Sequence, residues 1–267
     1  MKARIIVVMA ALGYAPALAQ EPPADIDSEI KAYLEITRSS RVLLKEGDWR
    51  LTTSASVSFL GRDFGVGSSS ATEFGGAASI AYGLARGLEV FGTIPVGYTG
   101  LQQTFFDSNT SSNKGGLGAI SVGGRYMLLH EDNRWPEMTA SLQFGLPTAS
   151  TGKPETSARA GLDFVSTIDP IILVGGIGLT YGFDSGTPQI DLTAGMVFGI
   201  SDRVALGAEV EWRSDPRNFG DPLRDAISFT TRLSVASGRS VFEPFVSIGL
   251  TGAAPDVVLG LTWARRF

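Results

Sequence analysis

From Asp48 to Phe267 the chain alternates apolar and polar residues with a period of two. In the first such stretch Trp49, Leu51, Thr53, Ala55, Val57 and Phe59 alternate with Arg50, Thr52, Ser54, Ser56 and Ser58. Successive side chains of a strand point to opposite faces, so the pattern predicts a β-strand with one apolar and one polar side. It recurs twelve times, over approximately 48–60, 72–84, 87–100, 116–129, 135–146, 158–168, 170–183, 188–199, 203–214, 224–236, 241–251 and 256–267. About 220 residues of this kind suit one large all-β domain.

The connections alternate in length. "LARG", "HEDNR", "TID", "ISDR" and "SGRS" are short, whereas "GRDFGVGSSSA", "LQQTFFDSNTSSNKGG", "TASTGKPETS" and "RSDPRNFGDPL" are longer and rich in Ser, Gly, Pro, Asn and Asp. "DSGTP" and "GAAP" fall in the long-loop positions but are short. Short turns at one end and longer loops at the other are the layout of outer-membrane barrels. A soluble secreted β-sandwich alternates too, so three further features bear on the choice. The polar face is small and hydrophilic (Ser79, Ala81, Ser121, Gly123, Thr139, Ser141, Thr193, Gly195, Ser228, Thr230), and twelve strands enclose more space than such side chains fill. Aromatic residues sit near strand ends on the apolar face. Trp49, Tyr82, Tyr126, Trp135, Phe198 and Phe242 would mark one interface, and Phe59, Phe74, Tyr98, Phe144, Tyr181, Trp212 and Phe229 the other. Finally, a closed barrel leaves no open edge, and a bilayer tolerates none. The expected fold is therefore an all-β, transmembrane antiparallel barrel of about twelve strands.

The same register turns Arg50, Glu73, Glu89, Arg125, Glu137, Asp163, Asp191, Glu209, Glu211, Arg213, Arg232, Glu243 and Arg266 toward the lumen. Facing lipid at the midplane, an Arg or Lys would cost about 2–4 kcal/mol. Inside, these groups either line a pore and tune what passes, or pair across the lumen to be solvated and rigid.

The N-terminal part differs. Lys2 and Arg4 precede the apolar run Ile5–Leu12, and Ala17-Leu18-Ala19 reads as a small-residue cleavage site, so residues 1–19 are expected to be a secretory signal peptide of bacterial type. The rival, a membrane anchor, has only 15 apolar-rich residues broken by Pro16, where spanning takes about 20. Residues 20–47 form a second segment. After a Pro pair, Ile26, Ile30, Tyr33 and Thr37 fall on one face of a short helix that Asp25 or Asp27 would cap. Such a helix could plug the pore, join a small coiled coil, sit against a partner or remain a tethered periplasmic tail. Residues 48–267 are the barrel.

Four stretches resemble a known family. "RVLLKEGDWRLTTSASVSF", "IAYGLARGLEVFGTIPVGYTG" with Pro95, "GGLGAISVGGRYMLL" and "ASLQFGLPTASTG" resemble the first strand, second hairpin, fourth-strand entry and fifth strand of outer-membrane transporters filed under the MetA pathway of phenol degradation. Ala119 stands where that family usually has Asp. The resemblance spans most of residues 42–267 and implies a transporter barrel. The wider family includes the channel that exports functional-amyloid subunits, a twelve-stranded trimer with a periplasmic coiled coil and a plug helix. The helix expected at 25–40 is similarly placed but much shorter.

Enzyme chemistry finds little support. The chain has one histidine, His130, in the short turn "LLHEDNRW", and no cysteine. That argues against a His-activated nucleophile and against a zinc site. "DSNTSSN" at 107–113 lacks the acidic spacing of a calcium loop and reads as a loop tip. "GGIG" at 175–178 lies within a strand, so it is not a nucleotide-binding loop, and the many strand glycines would let the barrel bend. A formal charge of −5, or −7 once Lys2 and Arg4 leave with the leader, argues against nucleic acid as a partner.

No catalytic residue, metal ligand or cofactor is expected. The expected partners are outer-membrane lipid, the barrel-insertion machinery and a small-molecule or polypeptide cargo, with a homotrimer possible. Leu259, Leu261, Trp263 and Phe267 would form the C-terminal signal that the insertion machinery reads, with Arg265 among them on the lipid side. The functional expectation is a channel passing small solutes through a charged, water-filled lumen. The alternatives are a secretion pore gated by the N-terminal helix and a barrel that conducts nothing.

Overall fold

The computed structural model describes residues 43–64, 67–105, 108–131, 135–150, 155–168, 171–214 and 225–267. The expected signal peptide and the helix at 25–40 lie outside the described residues. Residues 43–48 form an irregular lead-in to the first strand.

The strands are β1 (Trp49–Phe64), β2 (Gly67–Ala85), β3 (Leu88–Phe105), β4 (Ser108–Leu117), β5 (Ser121–Leu129), β6 (Glu137–Gly145) and β7 (Ser157–Ile168), followed by β8 (Ile171–Gly182), β9 (Thr187–Ser201), β10 (Val204–Ser214), β11 (Ala226–Ser237), β12 (Ser240–Gly249) and β13 (Val257–Arg266). Consecutive strands pair antiparallel, except that β4 and β5 both pair with β3, and β1 pairs with β13 from Arg50↔Arg266 to Phe59↔Val257, which closes the sheet. The Phe267 amide extends this seam by donating to the Trp49 carbonyl. Closure satisfies the backbone groups that an open edge would expose to lipid. Gly87 and Gly238 hold positive φ in the β2–β3 and β11–β12 turns, the conformation that tight hairpins require.

The burial pattern is inverted relative to a soluble protein. Large apolar side chains such as Phe74, Ile80, Val96, Tyr126, Ile177 and Leu261 are exposed, whereas Arg50, Glu89, Glu137, Thr139, Asp191, Glu209 and Glu243 are buried. Only a barrel with an apolar outer wall and a polar interior produces that arrangement. The two aromatic sets fall at opposite ends of the strands on the outer face. At the end carrying the short turns, Trp49 and Tyr82 face each other across β1–β2 with ring centroids 4.5 Å apart. At the other, Phe74 and Tyr98 pair across β2–β3 at 6.3 Å. On β1 Trp49 and Phe59 are ten residues apart, roughly 26 Å of height at a tilt of about 40°, the thickness of an outer-membrane apolar band.

The fourth expected strand, 116–129, is in fact two. The lower part of β3, Leu88–Thr93, pairs with β5, and its upper part, Val96–Phe105, pairs with β4. Between Thr93↔Ser121 and Val96↔Leu117, two residues of β3 face three on the other side, a bulge opposite Pro95. Proline has no amide proton to offer the ladder, and a Cβ on Gly118 would come 2.8 Å from the Pro95 ring. The freed groups are taken up by the segment after β6. The Leu146 amide donates to the Ile120 carbonyl and the Ser150 amide to the Leu117 carbonyl, while Thr148 Oγ1 and Ser150 Oγ accept from the Ile120 and Leu117 amides. Thirteen strands therefore make twelve staves.

Two expected loops are strand. Residues 60–64 and 67–71 pair with one another, and 100–105 pairs with 108–113, so most of "GRDFGVGSSSA" and most of "LQQTFFDSNTSSNKGG" extend β1–β4 into a tall sheet above the upper aromatic belt. "DSNTSSN" is thus mostly part of β4 rather than a loop tip. Alternating Ser, Thr, Gln and Asn satisfies a strand exposed to water on both faces, a composition also common in loops. The overhang is tied to the loop after β12. The Gly61 amide donates to Asp256 Oδ2 at 2.7 Å, and Arg62 Nη2 donates to the Gly252 carbonyl at 2.7 Å.

Candidate functional site: the lumen wall

The strand registers place all thirteen charged residues of the sequence analysis on the inner face. They gather into groups along the wall between nearby strands and do not reach across the lumen. At the periplasmic end, the end with short turns, Glu89 on β3 is fully buried and central. Arg50 Nη2 on β1 donates to both of its oxygens at 2.8 and 3.1 Å, Arg125 on β5 donates through Nε at 3.1 Å and through Nη2, and the Leu44 amide adds a bond at 3.0 Å. Arg266 stands directly opposite Arg50 across the β1–β13 seam. Glu243, buried on β12, accepts from Ser234 Oγ at 2.9 Å, and Glu137 is buried at the start of β6.

Higher up, on the opposite side of the barrel, Asp191 on β9 plays the part of Glu89. It accepts from Arg159 Nη1 on β7 at 2.5 Å, from Arg213 Nε on β10 at 3.0 Å and from Gln189 Nε2 at 2.9 Å. Arg213 also donates to Glu211 at 3.0 Å. Below this group Arg232 Nη2 meets Glu209 Oε2 at 3.2 Å, and Asp163 on β7 stands opposite Gly176 of β8. Glu73 stands apart on β2, exposed, with Ser58 and Thr99 as its strand partners. The inner face of β1–β3 otherwise carries mainly small and hydroxyl side chains, Thr52, Ser54, Ser56, Ser58, Ala77, Ser79 and Thr93, beside Phe91 and Pro95, with Thr93 donating to Ser79 at 3.1 Å. Above the periplasmic group the lumen thus has one wall of mainly small and hydroxyl side chains and one charged wall.

Two features of the interior escape the sequence reading. Val165, Ile172, Val174, Val197 and Ala205 share the inner face of β7–β10 near the periplasmic end and are buried, Ile172 and Ala205 completely. The inner face there is apolar and packed, where a small polar lining was expected. The unbroken run Ile171-Ile172-Leu173-Val174 is the sequence signal of this patch, because it puts apolar groups on both faces of β8. The second feature is the lead-in. Leu43 and Leu44 are buried, and a Cβ on inward-facing Gly83 would collide with the Lys45 carbonyl. The chain therefore enters β1 from within the periplasmic mouth.

Leu259, Leu261 and Trp263 occupy the outer face of β13, Phe267 follows directly after its end, and Arg265 lies 5.2 Å over the Phe267 ring. His130 is exposed just after β5. Among the described residues, no group of three or more His, Asp or Glu side chains is placed to hold a metal ion.

No protein-family model matches this chain. Its fold is similar to solved bacterial outer-membrane barrels. The COG4313 outer membrane channel from Pseudomonas putida F1 matches with a TM-score of 0.65 at 11% identity, over 84% of this chain and 97% of that one. The translocator domain of the autotransporter NalP from Neisseria meningitidis matches at 0.55 with 12% identity, over 90% and 95%. The CymD monoaromatic hydrocarbon channel matches at 0.50 with 10% identity, over 88% and 93%. The chain thus has the closed antiparallel fold of bacterial outer-membrane β-barrels.

Proposed function

We propose that the barrel is a passive channel for small solutes, whose charged wall sets selectivity. The observation that carries this reading is the Arg159–Asp191–Arg213 group. Asp191 is hidden in the wall, while the two guanidiniums remain about half exposed toward the lumen, 44% and 53%. Charges held in place yet open to water are what a selective aqueous path uses. The likeness of the fold to a structure described as an outer membrane channel agrees with it. No residue performs bond chemistry in this reading, and no cofactor or metal takes part. Residues 1–19 are removed on export, and the barrel-insertion machinery reads the outer face of β13. The amount of protein in the outer membrane falls in Phe267→Ala; normal assembly of that variant counts against the signal.

A second reading is a secretion pore for an unfolded polypeptide, gated by the N-terminal segment. It rests on Leu43 and Leu44, which place the start of the described chain inside the periplasmic mouth. Planar-bilayer recordings of the full chain and of a variant lacking residues 20–40 separate the two. Similar conductance from both supports the open solute channel. A closed full chain that opens on deletion supports the gate. Silence from both overturns conduction altogether.

A further inference from the structure

Arg159 reaches Asp191 by crossing an entire strand. It starts on β7, lies over β8 and meets the carboxylate on β9. The position it crosses is Gly178, the direct strand partner of Asp191. A Cβ at Gly178 would sit 2.6 Å from Arg159 Nη2 and 3.0 Å from Cζ. The same device recurs on this wall. Asp163 lies over its direct partner Gly176, where a Cβ would be 2.6 Å from Oδ1. Glu209 lies over Gly195, with a Cβ 2.5 Å from Cγ, and Arg232 over Gly207, with a Cβ 3.0 Å from Cγ. Of the other inner charges of β7–β10, Asp191 and Arg213 face each other directly and lie in plane through their ion pair, and Glu211, opposite Thr193, pairs with Arg213 along its own strand.

We propose that Gly178, Gly176, Gly195 and Gly207 are positioning residues of the conduction path. Each is a seat that lets a charged side chain lie flat on the wall, which keeps the lumen wide and holds the charge at a set depth. The proposal rests on the channel reading for its consequence but not for its geometry. Bending alone does not account for these glycines. Each lies under a charged side chain, three of the four at a directly opposed register position. A side chain laid along the wall occupies the thickness of the wall; the same side chain pushed off its seat projects toward the axis. For Arg159 the displacement also breaks the bond to Asp191, so the guanidinium enters the lumen uncompensated and makes it narrower and more attractive to anions.

Gly178→Ala is the decisive variant. The atoms its Cβ meets are the far end of a flexible side chain, so the barrel can fold around it. Single-channel conductance is expected to drop about twofold, with the chloride-over-potassium permeability ratio raised by about the same factor, as for a lining charge moved toward the axis. In an Arg159→Ala background the same substitution is expected to change neither quantity. A loss of equal size in both backgrounds, or no loss in either, overturns the proposal. A chemical readout stands apart from conduction. Modification of Arg159 by phenylglyoxal, followed by peptide mass spectrometry, should be several-fold faster in Gly178→Ala than in the native chain. Faster modification in a barrel that never conducts keeps the seat and sinks the channel reading. Unchanged modification sinks the seat.

Discussion

The barrel contains two copies of one chemical idea, a carboxylate between two arginines drawn from nearby strands. In Arg50–Glu89–Arg125 the side chains are 6%, 1% and 15% exposed. In Arg159–Asp191–Arg213 they are 44%, 5% and 53% exposed. Both carboxylates are sealed; only the arginines differ. At the periplasmic end the lead-in folds over the group and the Leu44 amide completes the coordination of Glu89. On β7–β10 nothing among the described residues does the equivalent for Asp191, whose third partner is the neighbouring Gln189. The first group is thereby a fastening, and the second a lining. Burial decides which, because the same pair is strongly coupled when desolvated and screened when wet.

The largest effect that would test the contrast is at Glu89. Glu89→Gln leaves a buried arginine without its charge partner and should cost about 3–5 kcal/mol, read as a lower unfolding temperature in detergent. A change under about 1 kcal/mol would mean that the two groups are not different in kind. Next comes Asp191→Asn, which releases two half-exposed arginines. Its stability cost should be only about 1–2 kcal/mol, reduced by solvent around the guanidiniums, while its selectivity in bilayers shifts toward anions. The reverse ranking, with stability lost at Asp191 and selectivity at Glu89, would break the comparison. Arg265→Ala removes the contact over Phe267 on the outer face and should lower stability by about 0.5–1 kcal/mol, with conductance unchanged because the side chain never meets the lumen. Smallest is Glu211→Gln. Its pair with Arg213 is exposed on both sides, so about 0.2–1 kcal/mol is expected, and less at high salt.

The wall also shows where sequence reading stops. Pro95 was visible in the sequence, but its consequence was not. A strand of period two reads through 116–129 as if unbroken, since alternation says nothing about which hydrogen bonds a neighbouring strand can supply. Ser108–Asn113 reads as a loop because its small polar residues suit both a turn and a strand wetted on two sides. Only pairing with Gly100–Phe105 distinguishes them. Gly178 looks like one strand glycine among many, and its role appears only when Arg159 is found lying across it.

Where apolar and polar residues alternate, the sequence by itself determined which residues face lipid and which face the lumen, because in a pleated strand neighbouring side chains point opposite ways whatever the strand pairs with; along Ile171–Val174, apolar on both faces, it did not. It likewise determined the number of staves and the two aromatic belts. Tertiary structure decided everything that depends on which residues lie opposite one another. Register brought Arg159 over Gly178 to Asp191, set Arg266 against Arg50, broke the fourth stave at Pro95 and folded Leu44 onto Glu89. These contacts join residues far apart in the chain, such as Leu44 with Glu89 across the periplasmic mouth and Arg50 with Arg266 across the seam. A period of two carries the direction of each side chain, but not the identity of its neighbour across the ladder.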